Sequence, residues 1–158
     1  YLFDRFLGQF QDEFEITIQG FRYFNVYGPG EEHKGDQASP YTKFIRQAKE
    51  NGVVKLFENS DDYRRDFVCV EDLCKLHEKM FSVNTSGIFN AGTGTATSFD
   101  TVGRTIAKKY SADIEYIPMP DALKGQYQTY TCANLDKLNS VVDMSWTSIE
   151  DYINGTTN

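Results

Sequence analysis

The sequence predicts an α/β fold with a largely parallel sheet. Short apolar runs of strand length alternate with stretches of helical period along most of the chain. Glycine, proline and asparagine stand at the changes between them, where turns and caps need them. The 158 residues include 12 Phe and 10 Tyr, enough chain and aromatic bulk for one packed domain.

Each element follows in order. Leu2, Phe3, Phe6, Leu7 and Phe10 recur at helical spacing and predict an amphipathic helix over 1–10. An acidic loop over 11–15 leads to a strand over 16–22. A long loop over 23–35 is punctuated by Gly28, Pro29, Gly30 and Gly35. A helix over 40–50 ends at Asn51-Gly52, a good C-terminal cap pair. Strands follow over 53–57 and 66–70, then a helix over 72–81. The run 87–91 reads as a buried strand entering Gly92-Thr-Gly94, taken as a tight strand-to-helix turn. Ser98 caps a helix reaching Tyr110, and 114–117 is a strand closed by Pro118 and Pro120. Two short helices are expected within 133–153. No internal repeat is visible.

Composition excludes several classes. The aromatic content is too high for a disordered chain, and no apolar run approaches the ~20 residues of a membrane-spanning helix. Sixteen Lys and Arg against 23 Asp and Glu give a formal charge of −7, and the basic residues are scattered among acids. That pattern argues against a nucleic-acid groove while leaving room for a local phosphate pocket. Cys69, Cys74 and Cys132 are an odd number without metal-ligand spacing, which fits a reduced cytosolic compartment. With His33 and His77 the only histidines, no metal site is expected.

The most informative stretch is Arg22-Tyr-Phe-Asn-Val-Tyr-Gly-Pro29. Asn25 stands where a strand stops, the place where open α/β sheets bind ligands. Its amide both donates and accepts, which suits sugar hydroxyls or phosphate; an Asx turn before Gly28-Pro29 would explain it as well. Lys34, in a glycine-punctuated loop, becomes a general base if burial weakens its hold on a proton; otherwise it is a solvated loop residue, like His33. Arg64 and Arg65 precede a strand. One of these guanidinium forks can take a diphosphate, or the pair can pin the loop through Asp66. Tyr127 can stack on a ligand or lie in a surface loop. His77 and Trp146 are expected to serve packing.

These segments carry a resemblance. Residues 22–29 resemble the R-x-x-N-x-Y-G-P segment of the extended short-chain dehydrogenase/reductases that epimerise and dehydrate nucleotide sugars. Arg65-Asp-Phe-Val-Cys-Val-Glu-Asp72 resembles their R-D-[FY]-[VI]-x-V-x-D, and Asn90 to Gly94 their N-x-G-x-G. Three further stretches, 32–35, 55–58 and 117–127, resemble the branch acting on ADP-heptose-type nucleotide sugars at C6″.

The resemblance implies the C-terminal part of a Rossmann-like extended enzyme with its smaller substrate-binding region, filling 1–158. It implies NADP as cofactor, a soluble cytoplasmic protein and a homo-oligomeric parent enzyme. The sugar would be oxidised to a ketone, turn over, and take hydride back on its other face. Two acid/base groups on opposite faces are then implied: the Tyr of a Tyr-x-x-x-Lys, and the lysine matching Lys34. Asn25 would hold substrate, Arg65 the diphosphate, and Phe57, Glu58, Asn59, Ser60 and Tyr127 the rest of the nucleotide sugar. Val26, with Lys34, would contact the nicotinamide end of the cofactor.

Asp36 and Lys43 depart from the pattern, standing at substrate-contacting positions where the family offers serine and often histidine. The carboxylate would repel a sugar diphosphate unless turned away or paired with Lys43. The glycine-rich G-x-x-G-x-x-G loop and Tyr-x-x-x-Lys are expected upstream of Tyr1, so 1–158 alone should bind NADP poorly and catalyse nothing. Two alternatives stand beside this reading: a nucleotide-sugar 4-epimerase or dehydratase, separated by the Glu-His-Lys-Gly loop, and a non-catalytic nucleotide-sugar-binding module. The exposed apolar face of the first helix speaks against the module.

Overall fold

The computed structural model describes residues 2–121, 123, 125 and 127–155, with Asp12 described by its backbone only. The sequence-predicted Tyr1, and Ala122, Lys124 and Gln126 of the 117–127 stretch, lie outside the described residues.

The architecture is α/β with mainly parallel pairing, as the alternation of elements predicts. Helix α1 (Leu2–Phe10) and a short 3-10 turn precede β1 (Gln19–Tyr23) and β2 (Asn25–Tyr27). A 3-10 segment, Glu32–Gln37, leads to α2 (Pro40–Asn51), β3 (Val53–Phe57), β4 (Arg64–Cys69) and α3 (Val70–Met80). Then come β5 (Gly87–Ala91), β6 (Ala96–Ser98), α4 (Phe99–Tyr110), β7 (Asp113–Ile117) and β8 (Tyr130–Thr131). Helices α5 (Asp136–Asn139) and α6 (Ile149–Gly155) close the chain.

Pairings β1–β5, β2–β4 and β3–β7 are parallel; β4 also pairs antiparallel with β6 and parallel with β8. Between β1 and β2 the chain changes partner. The Phe24 N–H still donates to the Ala91 carbonyl (3.1 Å), while Asn25 already stands in register with Phe67.

Helix boundaries follow local chemistry. Ser39 caps α2, its Oγ accepting from the Thr42 N–H, and Pro40 occupies the first turn, where no N–H is missed. Gly52 ends α2 in the left-handed conformation, its N–H returning to the Ala48 carbonyl. Ser98 caps α4 in the same way through the Thr101 N–H.

Strand β4 is the spine. Its successive side chains point to opposite faces, so Phe67 and Cys69 enter one apolar cluster with Tyr27, Leu56, Ile106 and Ile153. Val68 enters a second, with Leu76, Phe89, Ala91 and Leu138. Both faces of the strand are therefore dry, and burial pushes the Cys69 thiol up to about 11. Trp146 packs at the edge of the second cluster, as expected for a packing residue.

Several boundaries differ from the sequence-based expectation. The strand expected over 16–22 starts only at Gln19, since Ile16 is 68% exposed and has no core to face. The loop over 23–35 contains β2 and a 3-10 segment; β2 exists because β4 pairs with it, which local sequence cannot show. Strand β4 begins at Arg64 because β6 and β8 both pair with Arg64 and Arg65. The turn after β5 leads into β6 rather than directly into α4.

Candidate functional site

Two adjoining clefts hold most of the expected binding residues. The first, about 280 Å³, has walls of Phe57, Tyr63, Phe99 and Tyr127, with Lys43 and Lys55 beside them. Tyr63 meets the Tyr127 ring edge-on at 5.2 Å between centroids, and Phe99 lies 6.0 Å from Tyr127. Burial pushes the Tyr127 phenol up, so the slot is aromatic and uncharged along this wall. Ser60, almost fully buried, donates to Asp100 Oδ1 at 3.3 Å. Burial works against ionisation of Asp100, yet hydrogen bonds from Tyr116, Arg104 and Ser60 outweigh it and hold its carboxyl below the ordinary range.

The second cleft, about 500 Å³, is polar, with Arg22, Asn25, Arg65, Asn90, Gln128 and Thr131 among its lining residues. Asn25 opens β2 and Arg65 lies on the neighbouring β4, so parallel pairing brings the two to one cleft. The Arg65 guanidinium joins the two spaces: it lines the polar cleft and lies 5.2 Å over the Tyr127 ring and 5.6 Å over Phe99. One of its N–H groups donates to the Arg64 carbonyl at 2.8 Å, leaving the rest of the fork available. The reading in which an arginine pins the loop through Asp66 is not what the structure shows. Asp66 Oδ1 accepts from the N–H and hydroxyl of Thr93, both at 2.7 Å. Oδ2 accepts from the N–H groups of Gly94 (2.9 Å) and Ala133 (3.0 Å). A Cβ at Gly92 would stand 2.7 Å from that Oδ2, so the turn needs glycine there.

The remaining expected residues lie elsewhere. Val26 follows Asn25 on the strand and so faces the other way, onto an apolar cleft with Tyr23, Val70, Leu73, Cys74 and His77. Glu58 and Asn59 are exposed on the turn between Phe57 and Ser60, outside both linings. Asp36 is exposed and forms no ion pair with Lys43, which instead lines the aromatic cleft.

Lys34 lines neither of the two clefts. Its side chain is 42% exposed. Its Nζ donates to Glu31 Oε1 at 3.1 Å. Glu31 is buried and also accepts from Ser39 Oγ (2.5 Å), Ser39 N–H (3.2 Å) and Thr42 Oγ1 (2.6 Å). Burial opposes its charge, but these hydrogen bonds prevail and hold the carboxyl below its usual range.

Sequence reasoning missed Tyr63, Phe99 and Lys55 as cleft residues. Tyr63 sits two before Arg65 and so on the same side of an extended chain, a signal available in the sequence. Phe99 opens α4 and reaches the cleft only through tertiary packing.

Residues 1–92 match the NAD dependent epimerase/dehydratase family. The chain belongs to that family. It is similar to the ADP-L-glycero-D-manno-heptose-6-epimerase of Alkalilimnicola ehrlichii, 43% identical with 94% of this chain and 49% of that protein covered. It is likewise similar to the enzyme of that name from Brachyspira hyodysenteriae, at 45% identity over 89% of this chain and 45% of the relative. The crystal structure of the Helicobacter pylori ADP-L-glycero-D-manno-heptose-6-epimerase superposes with a TM-score of 0.83 at 27% identity, covering 96% of this chain and 46% of that one. The chain spans about half the length of the curated relatives it matches. Among the described residues no helix is long and apolar enough to cross a membrane, and no cluster of His, Cys, Asp and Glu could hold a metal ion.

Proposed function

We propose that this chain is the substrate-binding portion of a nucleotide-sugar 6-epimerase acting on ADP-D-glycero-D-manno-heptose. The observation that carries the reading is Arg65, whose guanidinium stands between an aromatic slot and a polar cleft. A nucleotide sugar has the same order of chemistry: a flat base, a diphosphate and a hydroxyl-rich sugar. The base would stack in the slot of Phe57, Tyr63, Phe99 and Tyr127, with Lys43 and Ser60 at its side. The diphosphate would meet the Arg65 fork, and the sugar would meet Asn25. Glu58 and Asn59 would contact the ligand from the adjoining turn, and Asp36 from the 3-10 segment. The similarity to the named heptose epimerases supports this sugar over those of other branches.

NADP is the proposed cofactor. When bound, it supplies the acceptor and donor of a hydride. Val26, next to Asn25 on β2, is the proposed contact at the nicotinamide end of the cofactor. The chain spans about half the length of the relatives it matches, and the cofactor phosphates are proposed to be held by a preceding half, on a glycine-rich loop. Lys34 serves as acid or base at the carbinol hydroxyl on one face of the sugar. A tyrosine of that preceding half serves the opposite face, because one group cannot reach both. The complete enzyme is proposed to be cytoplasmic and homo-oligomeric.

Lys34→Met in the complete enzyme tests this reading. Inversion at C6″, followed by NMR of the product sugar, is expected to fall by at least about 1000-fold, within the range for loss of an acid/base group. NADP binding is expected to be retained. Inversion at the unsubstituted rate would contradict the proposal.

A further inference from the structure

We propose that Glu31 is the positioning residue for Lys34, fixing where its amine stands during proton transfer. The inference rests on the proposed role of Lys34 and goes beyond it, because Glu31 belongs to no motif the family resemblance supplied.

A helix cap requires one hydroxyl, and Ser39 already supplies it to α2 through the Thr42 N–H. Glu31 adds a buried carboxylate behind that cap, a costly group to place in a dry site without a further use. Its two oxygens take four donors, of which Lys34 alone carries a charge. Three of the four come from Ser39 and Thr42, so the first turn of α2 fixes the carboxylate in place. Burial disfavours its ionised form, but those bonds keep the carboxyl below its ordinary range, and the anion persists through neutral pH.

The backbone supports the same arrangement. The Lys34 N–H donates to the Glu31 carbonyl at 2.9 Å, closing a turn under the ion pair. Directly afterwards Gly35 takes φ 52°, ψ −119°, a conformation that residues with a Cβ rarely adopt. Lys34 is thus tied at backbone and side chain to one residue. An ammonium has three N–H bonds. One goes to Glu31, and two remain for a substrate hydroxyl and solvent.

The test compares Glu31→Gln with Ser39→Ala in the complete enzyme. Glu31→Gln removes the anion facing Lys34; Ser39→Ala removes the cap and one of the four donors to Glu31 but leaves the Glu31–Lys34 contact. A misplaced acid/base group costs on the order of 100-fold. Glu31→Gln is therefore expected to lower kcat by about 100-fold with KM for the nucleotide sugar unchanged. Ser39→Ala is expected to lower kcat by less, no more than about 10-fold, since Glu31 keeps its charge and the donors from Lys34, the Ser39 N–H and Thr42. Glu31→Asp keeps the charge and shortens its reach by one methylene. It carries the test should the glutamine variant not fold, with kcat expected to fall about 10-fold. An unsubstituted kcat in a folded Glu31 variant, or an equal fall in Ser39→Ala, overturns the proposal. Lys34→Met separates the two ideas. If it is inactive while Glu31→Gln is fully active, positioning fails and the acid/base role stands; if it is active, both fail.

Discussion

Two buried carboxylates, Asp66 and Glu31, do different work in this fold. Asp66 has no exposed surface and gathers four donors from neutral groups on the turn after β5 and on Ala133. Glu31 gathers the same number, but one donor is the ammonium of a half-exposed lysine. The first set closes on itself and holds a scaffold. The second leads outward, from a helix cap to a side chain that solvent can reach. A buried charge therefore has to be judged by its last partner, and not by how many partners it has.

The comparison is broken most severely at Asp66. Asp66→Ala strands the buried N–H of Ala133 and the N–H groups of Thr93 and Gly94, each costing about 1–3 kcal/mol. A total loss of about 4 kcal/mol is expected by denaturant unfolding of the complete enzyme. Glu31→Gln should cost less, about 1–2 kcal/mol, because an amide oxygen still accepts from Ser39 or Thr42.

Acid sharpens the contrast. The Glu31 carboxyl has a lower pKa folded than unfolded, so its contribution is complete above its ordinary value of about 4.3. It is lost as pH falls through the depressed folded value. The stability gap between wild type and Glu31→Gln should thus be constant from neutral pH to about 5 and shrink below about 4. A gap that widens in acid would contradict the assignment.

Much of this was legible in sequence, for reasons that can be named. Helices α2 and α4 announce themselves through Ser39-Pro40 and Ser98 at one end and, for α2, Gly52 at the other. Buried strands β3 and β5 show as apolar runs. Strands β6 and β8 do not, because three and two residues are too few for any period. Strand β2 hides in a glycine-rich loop because only its pairing with β4 defines it. In the site, Asn25, Arg65 and Tyr127 were visible from motif resemblance, while Phe99 and Lys55 reach the cleft through packing between distant segments. In the sequence Glu31 is one more polar residue of a loop, since the four donors that give it meaning come from residues three to eleven positions away.

The most direct measurement of the account is the affinity of the complete enzyme for the proposed ADP-linked sugar, by calorimetry, with and without Arg65→Ala. A charge-assisted fork on a diphosphate contributes about 1.5–3 kcal/mol. The account predicts that Kd rises between roughly 10- and 150-fold, with folding intact. An unchanged Kd would mean that the diphosphate does not meet Arg65, and that the two clefts do not hold one ligand.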